Sequence, residues 1–316
     1  MRTTAIVLCL LICAALVGCS TSKPAAQKST TGKPKVALVM KSLANEFFKT
    51  MEDGARKHNS EHSADYELIC NGIKDEQDVG KQIDVVQQMI AQHVDAIVLA
   101  PADSKALVSA CKAAQKAGIV VVNIDNKLDA DALKEAGLQI PFVGPDNRKG
   151  AKMAADVLAK KLKAGDKVAI IEGAPNAYNG IQRKLGFEDS MKAVRADIVT
   201  SQSGAWEMDK ANQVASGILA KYPDVKGLLC ANDNMALGAL AAVRGAGKAG
   251  KVSIVGFDNI SAAHDLVQKG ELLSTIDQHG DKLAIYGIEY ALKMIKTKAA
   301  PKDQETPVDL ITAASK

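Results

Sequence analysis

The sequence predicts an α/β fold built as two similar lobes, each a parallel sheet with helices on both faces. Three observations predict it. Short apolar runs recur along the chain, and segments of helical period separate most of them. Strand–helix alternation over this length implies parallel sheets. The runs show little polar alternation, which implies strands buried on both faces. The pattern also breaks in the middle. A charged stretch at 127–139 is followed by Phe142-Val143-Gly144-Pro145-Asp146, where the same strand–loop–helix logic starts afresh.

The elements follow in order. Arg2 precedes an apolar run at 5–17 and then Gly18-Cys19-Ser20. A positive start, a short apolar core and small residues make a secretory signal over residues 1–19. The run is short for a membrane span. Leu16-Val17-Gly18-Cys19 resembles the bacterial lipobox, so Cys19 is the expected lipidation site; an ordinary signal with an incidental cysteine is the alternative. Residues 20–34, rich in Ser, Thr, Lys, Pro and Ala, read as a flexible tether. Ten candidate strands follow, at 36–40, 66–70, 95–100, 119–124, 140–143, 168–172, 198–201, 227–230, 252–256 and 272–276. Helical period is clear at 77–92, where Val79, Ile83, Val86 and Ile90 share a face, at 149–162 and at 281–298. Beyond the last helix, Pro301, Pro307 and the apolar run 308–311 form a tail.

Composition narrows the function. The chain has 316 residues, 47% apolar, enough for one large or two moderate domains. The 40 basic and 36 acidic residues are spread throughout, which gives no sign of nucleic-acid binding. Of six cysteines, Cys9 and Cys13 leave with the signal. Cys70, Cys111 and Cys230 have no metal-site spacing and read as buried or idle thiols. His58 and His62 are spaced i, i+4 but lack a third ligand, so no metal is expected. No dinucleotide loop, phosphate loop or nucleophile elbow is present, so neither an enzyme nor a cofactor is expected.

What remains is a set of polar residues just after apolar runs. Lys41 and Asn45 follow the first run, with Phe47 and Phe48 beside them. Later come Asp103, Asp125 with Asn126, Asn232 with Asp233, Asp258, and Asp277 with Gln278. In open parallel sheets ligands bind at the carboxyl edge of the strands. Carboxylates and amides both suit the adjacent hydroxyls of a sugar, and Phe47, Phe48 and Trp206 suit its C–H faces. Each Asp or Asn taken alone reads equally as a helix cap, which is the expectation for Asp103, Asp146 and Asp233. Repetition at strand after strand favours a ligand site.

These residues resemble the type I periplasmic sugar-binding proteins, the group that holds ribose- and allose-binding proteins. The resemblance runs from about residue 35 to 311. Its most specific stretches are Leu43-Ala44-Asn45-Glu46-Phe47-Phe48, Cys230-Ala231-Asn232-Asp233-Asn234-Met235-Ala236-Leu237-Gly238, Val255-Gly256-Phe257-Asp258 and Thr275-Ile276-Asp277-Gln278. It implies two Rossmann-like lobes joined by three crossovers, with residues 35–144 plus 279–307 as one lobe and 145–278 plus 308–316 as the other. It implies a monomer that binds one monosaccharide and delivers it to the permease of an ABC importer. The alternative is a sugar sensor that presents its ligand to a chemoreceptor or sensor kinase. Asn45, Asp125, Asn232, Asp258 and Gln278 would be hydrogen-bonding contacts, and Phe48 and Trp206 the stacking pair, with Phe47 beside them. The ribose pattern has an arginine where Asn126 stands and a small hydroxyl residue where Lys41 stands. The allose pattern is similar at Lys41, at Val122-Asn123-Ile124-Asp125 and at Ala205-Trp206, which favours an allose-type hexopyranose. The family also places a contact arginine near 177–182. Here the stretch reads Asn179-Gly180-Ile181-Gln182-Arg183, so either Asn179 takes that role, with Arg183 supporting the helix, or Arg183 takes it.

Overall fold

The computed structural model describes residues 32–315. The signal segment, Cys19 and most of the 20–34 tether lie outside the described residues.

The first sheet contains β1 (Lys35–Ser42), β2 (Glu67–Ile73), β3 (Ala96–Leu99), β4 (Val120–Ile124) and β5 (Phe142–Pro145). Its order is β5-β4-β3-β1-β2, all parallel, and β11 (Gln304–Thr306) adds in parallel outside β5. Residues of β1 divide by parity: Val36, Leu38 and Met40 enter one core, Ala37 and Val39 the other. That is the signature of a strand covered on both sides. The helices α1 (Glu46–Glu61) and α10 (Gly280–Thr297) pack together on the first side, and α2 (Val79–Ala91) and α3 (Val108–Lys116) on the second. A short α4 (Ala130–Ala136) occupies the charged stretch at 127–139.

The second sheet repeats the scheme. Strands β6 (Lys167–Glu172), β7 (Asp197–Ser203), β8 (Gly227–Cys230) and β9 (Ser253–Val255) run parallel in the order β7-β6-β8-β9. Five helices belong with it: α5 (Asn147–Ala159), α6 (Tyr178–Ala193), α7 (Met208–Lys221), α8 (Asp233–Gly245) and α9 (Ser261–Gln268). In both sheets the chain moves one way from its first strand, then restarts on the other side. The crevice at that reversal, outside the carboxyl ends of β1 and β3 and of β6 and β8, is where ligands bind in such sheets.

The chain passes between the two sheets three times: from β5 into α5, from β10 (Thr275–Asp277) into α10, and from β11 to β12 (Asp309–Ile311). The tail thus contributes a strand to each side. Three differences from the sequence reading stand out. β10 and β12 pair antiparallel, with a single Val255–Ser274 bridge joining them to β9. β11 was not visible in the sequence, because Gln304-Glu305-Thr306 is polar and its first two residues stay exposed at a sheet edge. The cap of α8 is Asn232, whose Oδ1 accepts from Met235 N, and not Asp233. Asp233 is instead a buried carboxylate that accepts from Thr275 Oγ1 and from Ile260 N.

Candidate functional site

The end of β1 and the start of α1 set the first wall. Asn45 caps α1, its Oδ1 accepting from Phe47 N at 3.0 Å. The cap fixes the amide so that Nδ2 donates to Glu76 Oε1 at 3.1 Å. Phe47 and Phe48 are buried and meet edge to face, 5.2 Å between centroids. Gln82, fully buried, ties the strand ends together by donating to Met40 O and Ala100 O and accepting from Ala102 N. Asn123 does the same after β4, donating to Leu99 O and Asn126 O and accepting from Leu128 N. Asp125 projects from that braced loop.

The second sheet supplies the opposite wall. Trp206 lies between β7 and α7 and is buried. Its ring lies flush on Gly173, where an added Cβ would come within 2.2 Å of ring carbons. Asn232 Nδ2 donates to Trp206 O at 3.4 Å. Arg183 comes from α6 and is held on every side. Its Nε donates to Asn147 Oδ1 at 2.8 Å, its Nη1 to Ala231 O at 2.8 Å, and its guanidinium stands 3.7 Å from the Phe257 ring centroid. Nη1 is also 3.4 Å from Asp258 Oδ1, which Gln278 Nε2 reaches at 2.7 Å.

Between the walls is a narrow cavity with about 220 Å³ of space between atoms, lined by twelve residues. Lys41 lines it, with Nζ 5.4 Å from both the Phe48 and the Trp206 ring centroids. It is 3.2 Å from Asp125 Oδ2 and 3.5 Å from Glu76 Oε2. Burial alone would depress Lys41, but Asp125 and Glu76 outweigh it and hold the ammonium above its ordinary value. Burial pushes Glu76 up against the opposing effect of Lys41 and Asn45. It pushes Asp258 well above the usual carboxylate range despite Arg183, and it lowers Arg183 itself. Trp206 Nε1 and Gln278 Oε1 are buried with no hydrogen-bond partner in the protein, and Asp125 Oδ2 has only the Lys41 ammonium beside it. Orphaned atoms of this kind are costly in a protein interior, and here they belong to residues lining one cavity.

The lining includes Lys41, Asn45, Phe47, Phe48, Asp125, Asn179, Trp206, Asn232, Asp258 and Gln278. Asn126 is not among them. Its side chain is spent on Pro101 O, Ser104 Oγ and Asn179 N. Two further residues line it: Glu76, which was not expected there, and Arg183, which was open as the alternative to Asn179. Arg183 sits four residues after Asn179 and so shares its face of α6, and both residues of the Asn179/Arg183 alternative reach the cavity. That spacing was a usable signal. Glu76 had none, because Lys74-Asp75-Glu76-Gln77 reads as an ordinary solvated turn. A wider open groove, about 1240 Å³, lies where β5, β11, α5 and α6 meet. Its charges pair with one another, Arg148 with Asp189, Lys152 with Asp156 and Lys127 with Asp303, leaving no converging set.

Comparison with known proteins agrees with this geometry. The model of the periplasmic binding protein domain matches residues 36–299. The D-ribose/D-allose-binding protein of Pseudomonas aeruginosa is 53% identical over 310 residues, covering 96% of this chain and 97% of its own. A solute-binding protein of an ABC transporter from Burkholderia multivorans, crystallised with an unknown ligand built as α-D-erythrofuranose, is 57% identical with a TM-score of 0.87. That match covers 89% of this chain and all of the other. One from Actinobacillus succinogenes with bound D-allose is 39% identical with a TM-score of 0.84, covering 89% and 98%. The chain therefore belongs to the periplasmic binding protein family, whose members bind solutes for transport and are not enzymes.

Proposed function

We propose that the protein captures one monosaccharide between its two lobes and delivers it to an ABC importer, with an allose-type hexopyranose favoured and ribose next. The observation that carries this reading is the cavity's construction. Aromatic rings from opposite lobes line one cavity together with a set of amides and internally paired charges. The two cations, Lys41 and Arg183, are each matched by carboxylates at close range. Three carboxylates, Glu76, Asp125 and Asp258, face these two cations, so no positive charge is left for an anionic ligand. Burial disfavours the charged forms of Glu76 and Asp258, and a neutral polyol, whose hydroxyls donate to carboxyl oxygens, fits best. Lys41, Asn45, Asp125, Asn179, Asn232, Asp258 and Gln278 would meet hydroxyls, and Phe47, Phe48 and Trp206 the apolar faces. Arg183 and Glu76 join this set. The lobes would be 35–144 with 279–307, and 145–278 with 308–316. The strand membership of the two sheets supports that division.

The protein acts as a monomer, anchored to the membrane through a lipid on Cys19 and facing the periplasm or cell exterior. Replacing Cys19 with Ala should release it from membranes into the soluble fraction; unchanged membrane association would remove the anchor. The decisive test of function is a thermal-shift screen of the chain beginning at Ser20, against pentoses, hexoses and polyols. A ligand that binds only the folded state raises the melting temperature. D-allose should give the largest shift. A panel in which no sugar moves the transition would overturn the substrate class.

A further inference from the structure

Every α-helix leaves its first amides without partners inside the helix, and a side chain at the N-cap normally accepts from one of them. Helices α6 and α9 follow Ala177 and Ile260, which carry no acceptor, and neither has a side-chain cap of its own. Their first amides are met from the opposite lobe instead. Ser104 Oγ, after β3, accepts from Tyr178 N at 3.0 Å. Asn126 Oδ1, after β4, accepts from Asn179 N at 3.1 Å. Glu46 Oε1, in the first turn of α1, accepts from Ser261 N at 2.8 Å. Asn179 completes the first turn of α6 with its own Oδ1, which accepts from Gly180 N at 2.8 Å. The same junction carries Ser104 N to Asn176 O at 3.1 Å and the Asn176 amide to Asp103. Helices α3, α7 and α10 also start without a side-chain cap. Among the described residues none of them receives one across the cleft, so the arrangement is particular to α6 and α9.

We propose that Ser104, Asn126 and Glu46 are affinity-determining residues that cap α6 and α9 across the cleft when the lobes are closed. They set how tightly the protein holds any ligand without touching it. This rests on the proposed closure around a sugar, and it moves Asn126 from ligand contact to cap. When the lobes part, these amides turn to water. When the lobes close, they regain fixed acceptors, which biases the two-state equilibrium towards the closed form. The α6 caps also seat the helix that carries Asn179 and Arg183 on the cavity wall. Because the contacts exist only in the closed state, their loss acts on ligand release more than on capture. Because they are remote from the ligand, their loss acts equally on every sugar.

The test compares wild type with Ser104→Ala, Glu46→Ala and the acceptor-retaining Glu46→Gln, each checked for a native melting transition. Calorimetry and stopped-flow release use D-allose and D-ribose, and amide hydrogen exchange is read at Tyr178, Asn179 and Ser261. Each alanine variant should weaken every sugar that wild type binds by the same factor, roughly five-fold for an average cap. The loss should fall in the dissociation rate, and the amide facing the lost acceptor should exchange faster. Glu46→Gln should match wild type. Losses that differ between sugars would mean direct ligand contact and overturn the proposal, as would unchanged affinity with unchanged exchange. If wild type binds neither sugar, the substrate reading fails on its own. The caps are then decided by exchange in the protein bound to whichever small molecule raises its melting temperature: faster exchange at the matching amide upholds them, and equal rates overturn them.

Discussion

Replacing Lys41 with Met keeps much of the side chain's length and removes the one charge that two buried carboxylates share. Lys41, Glu76 and Asp125 are all 4% exposed or less, and the ammonium stands 3.5 and 3.2 Å from the two acids. Breaking a buried ion pair from one side costs about 3–5 kcal/mol. That is a large share of the roughly 5–15 kcal/mol that holds a domain folded. The pH dependence has a fixed sign. Burial already holds Glu76 above its ordinary value of 4.5, with Lys41 opposing. Removing Lys41 drives it further up. An acid whose folded value is raised contributes stability that is present below its unfolded value and lost as pH rises through the folded one. The deficit of Lys41→Met should therefore be largest near neutral pH and shrink towards pH 4.5. Adding Glu76→Gln should recover part of it, because one uncompensated charge then disappears. Urea unfolding of the two variants and wild type at several pH values measures this. A deficit under about 1 kcal/mol, or one that grows as pH falls, would refute the buried cluster as the source of the effect.

Trp206 is the single tryptophan in the chain. Its emission should change on addition of D-allose, and Trp206→Phe, which removes the unpartnered indole N–H, should weaken binding about ten-fold by the worth of one hydrogen bond; emission indifferent to every bound sugar would take Trp206 off the ligand. Arg183→Met removes two hydrogen bonds, the Phe257 stack and the charge beside Asp258. It should cost more than ten-fold in affinity, as loss of charged hydrogen bonds does, and calorimetry showing unchanged affinity would return Arg183 to a purely supporting role. Burial pushes Asp233 from 3.8 up to about 6. Its folded value is raised, so wild type should lose up to roughly 3 kcal/mol of stability as pH climbs through that window. In Asp233→Asn the same slope should be missing from denaturation midpoints.

The fold was legible because its signals are local and repeated. Apolar runs such as 36–40 and 168–172 are buried on both sides, and nothing else in a chain of this kind produces them at regular intervals. β11 and the antiparallel β10–β12 pair were not legible, because their pairing is decided by the tail's path across both sheets and not by its own composition. The candidate site was legible at strand ends, where Asn45 and Asn232 serve as caps and cavity wall together. The two readings of such residues, weighed against each other in the sequence, describe one geometry: the cap fixes the amide, and the fixed amide borders the cavity. Glu76 and Gln82 were hidden, since a solvated turn and a buried brace look alike until the fold folds one of them inward. Asn126 shows the opposite error. It was singled out for standing beside Asp125, and adjacency in sequence says little about which side of a loop faces a ligand.

Asp125, Trp206 and Asp258 share a further property, φ values of +59°, +71° and +120°. Side chains other than glycine rarely hold such backbone, at a cost of about 1–3 kcal/mol each, and they persist where their surroundings leave no alternative. Asp258 N is bound to Ile276 O and its carboxylate to Gln278. Asp125 follows a strand end braced by Asn123. Trp206 is pinned by Gly173 and Gly180, which leave room for its ring and nothing else. Strain held at three separate strand ends, all bordering one cavity, means that these side chains are set before a ligand arrives and need little reordering to bind it. Gly173→Ala tests that argument away from any polar contact. The new methyl would overlap the ring at 2.2 Å, so the ring must shift. Overpacking of this kind costs about 1–3 kcal/mol. If the aimed ring matters, sugar affinity should fall and Trp206 emission should move even in the sugar-free protein. A variant that loses stability yet binds as tightly as wild type would show that the ring's placement is a packing outcome with no bearing on the ligand.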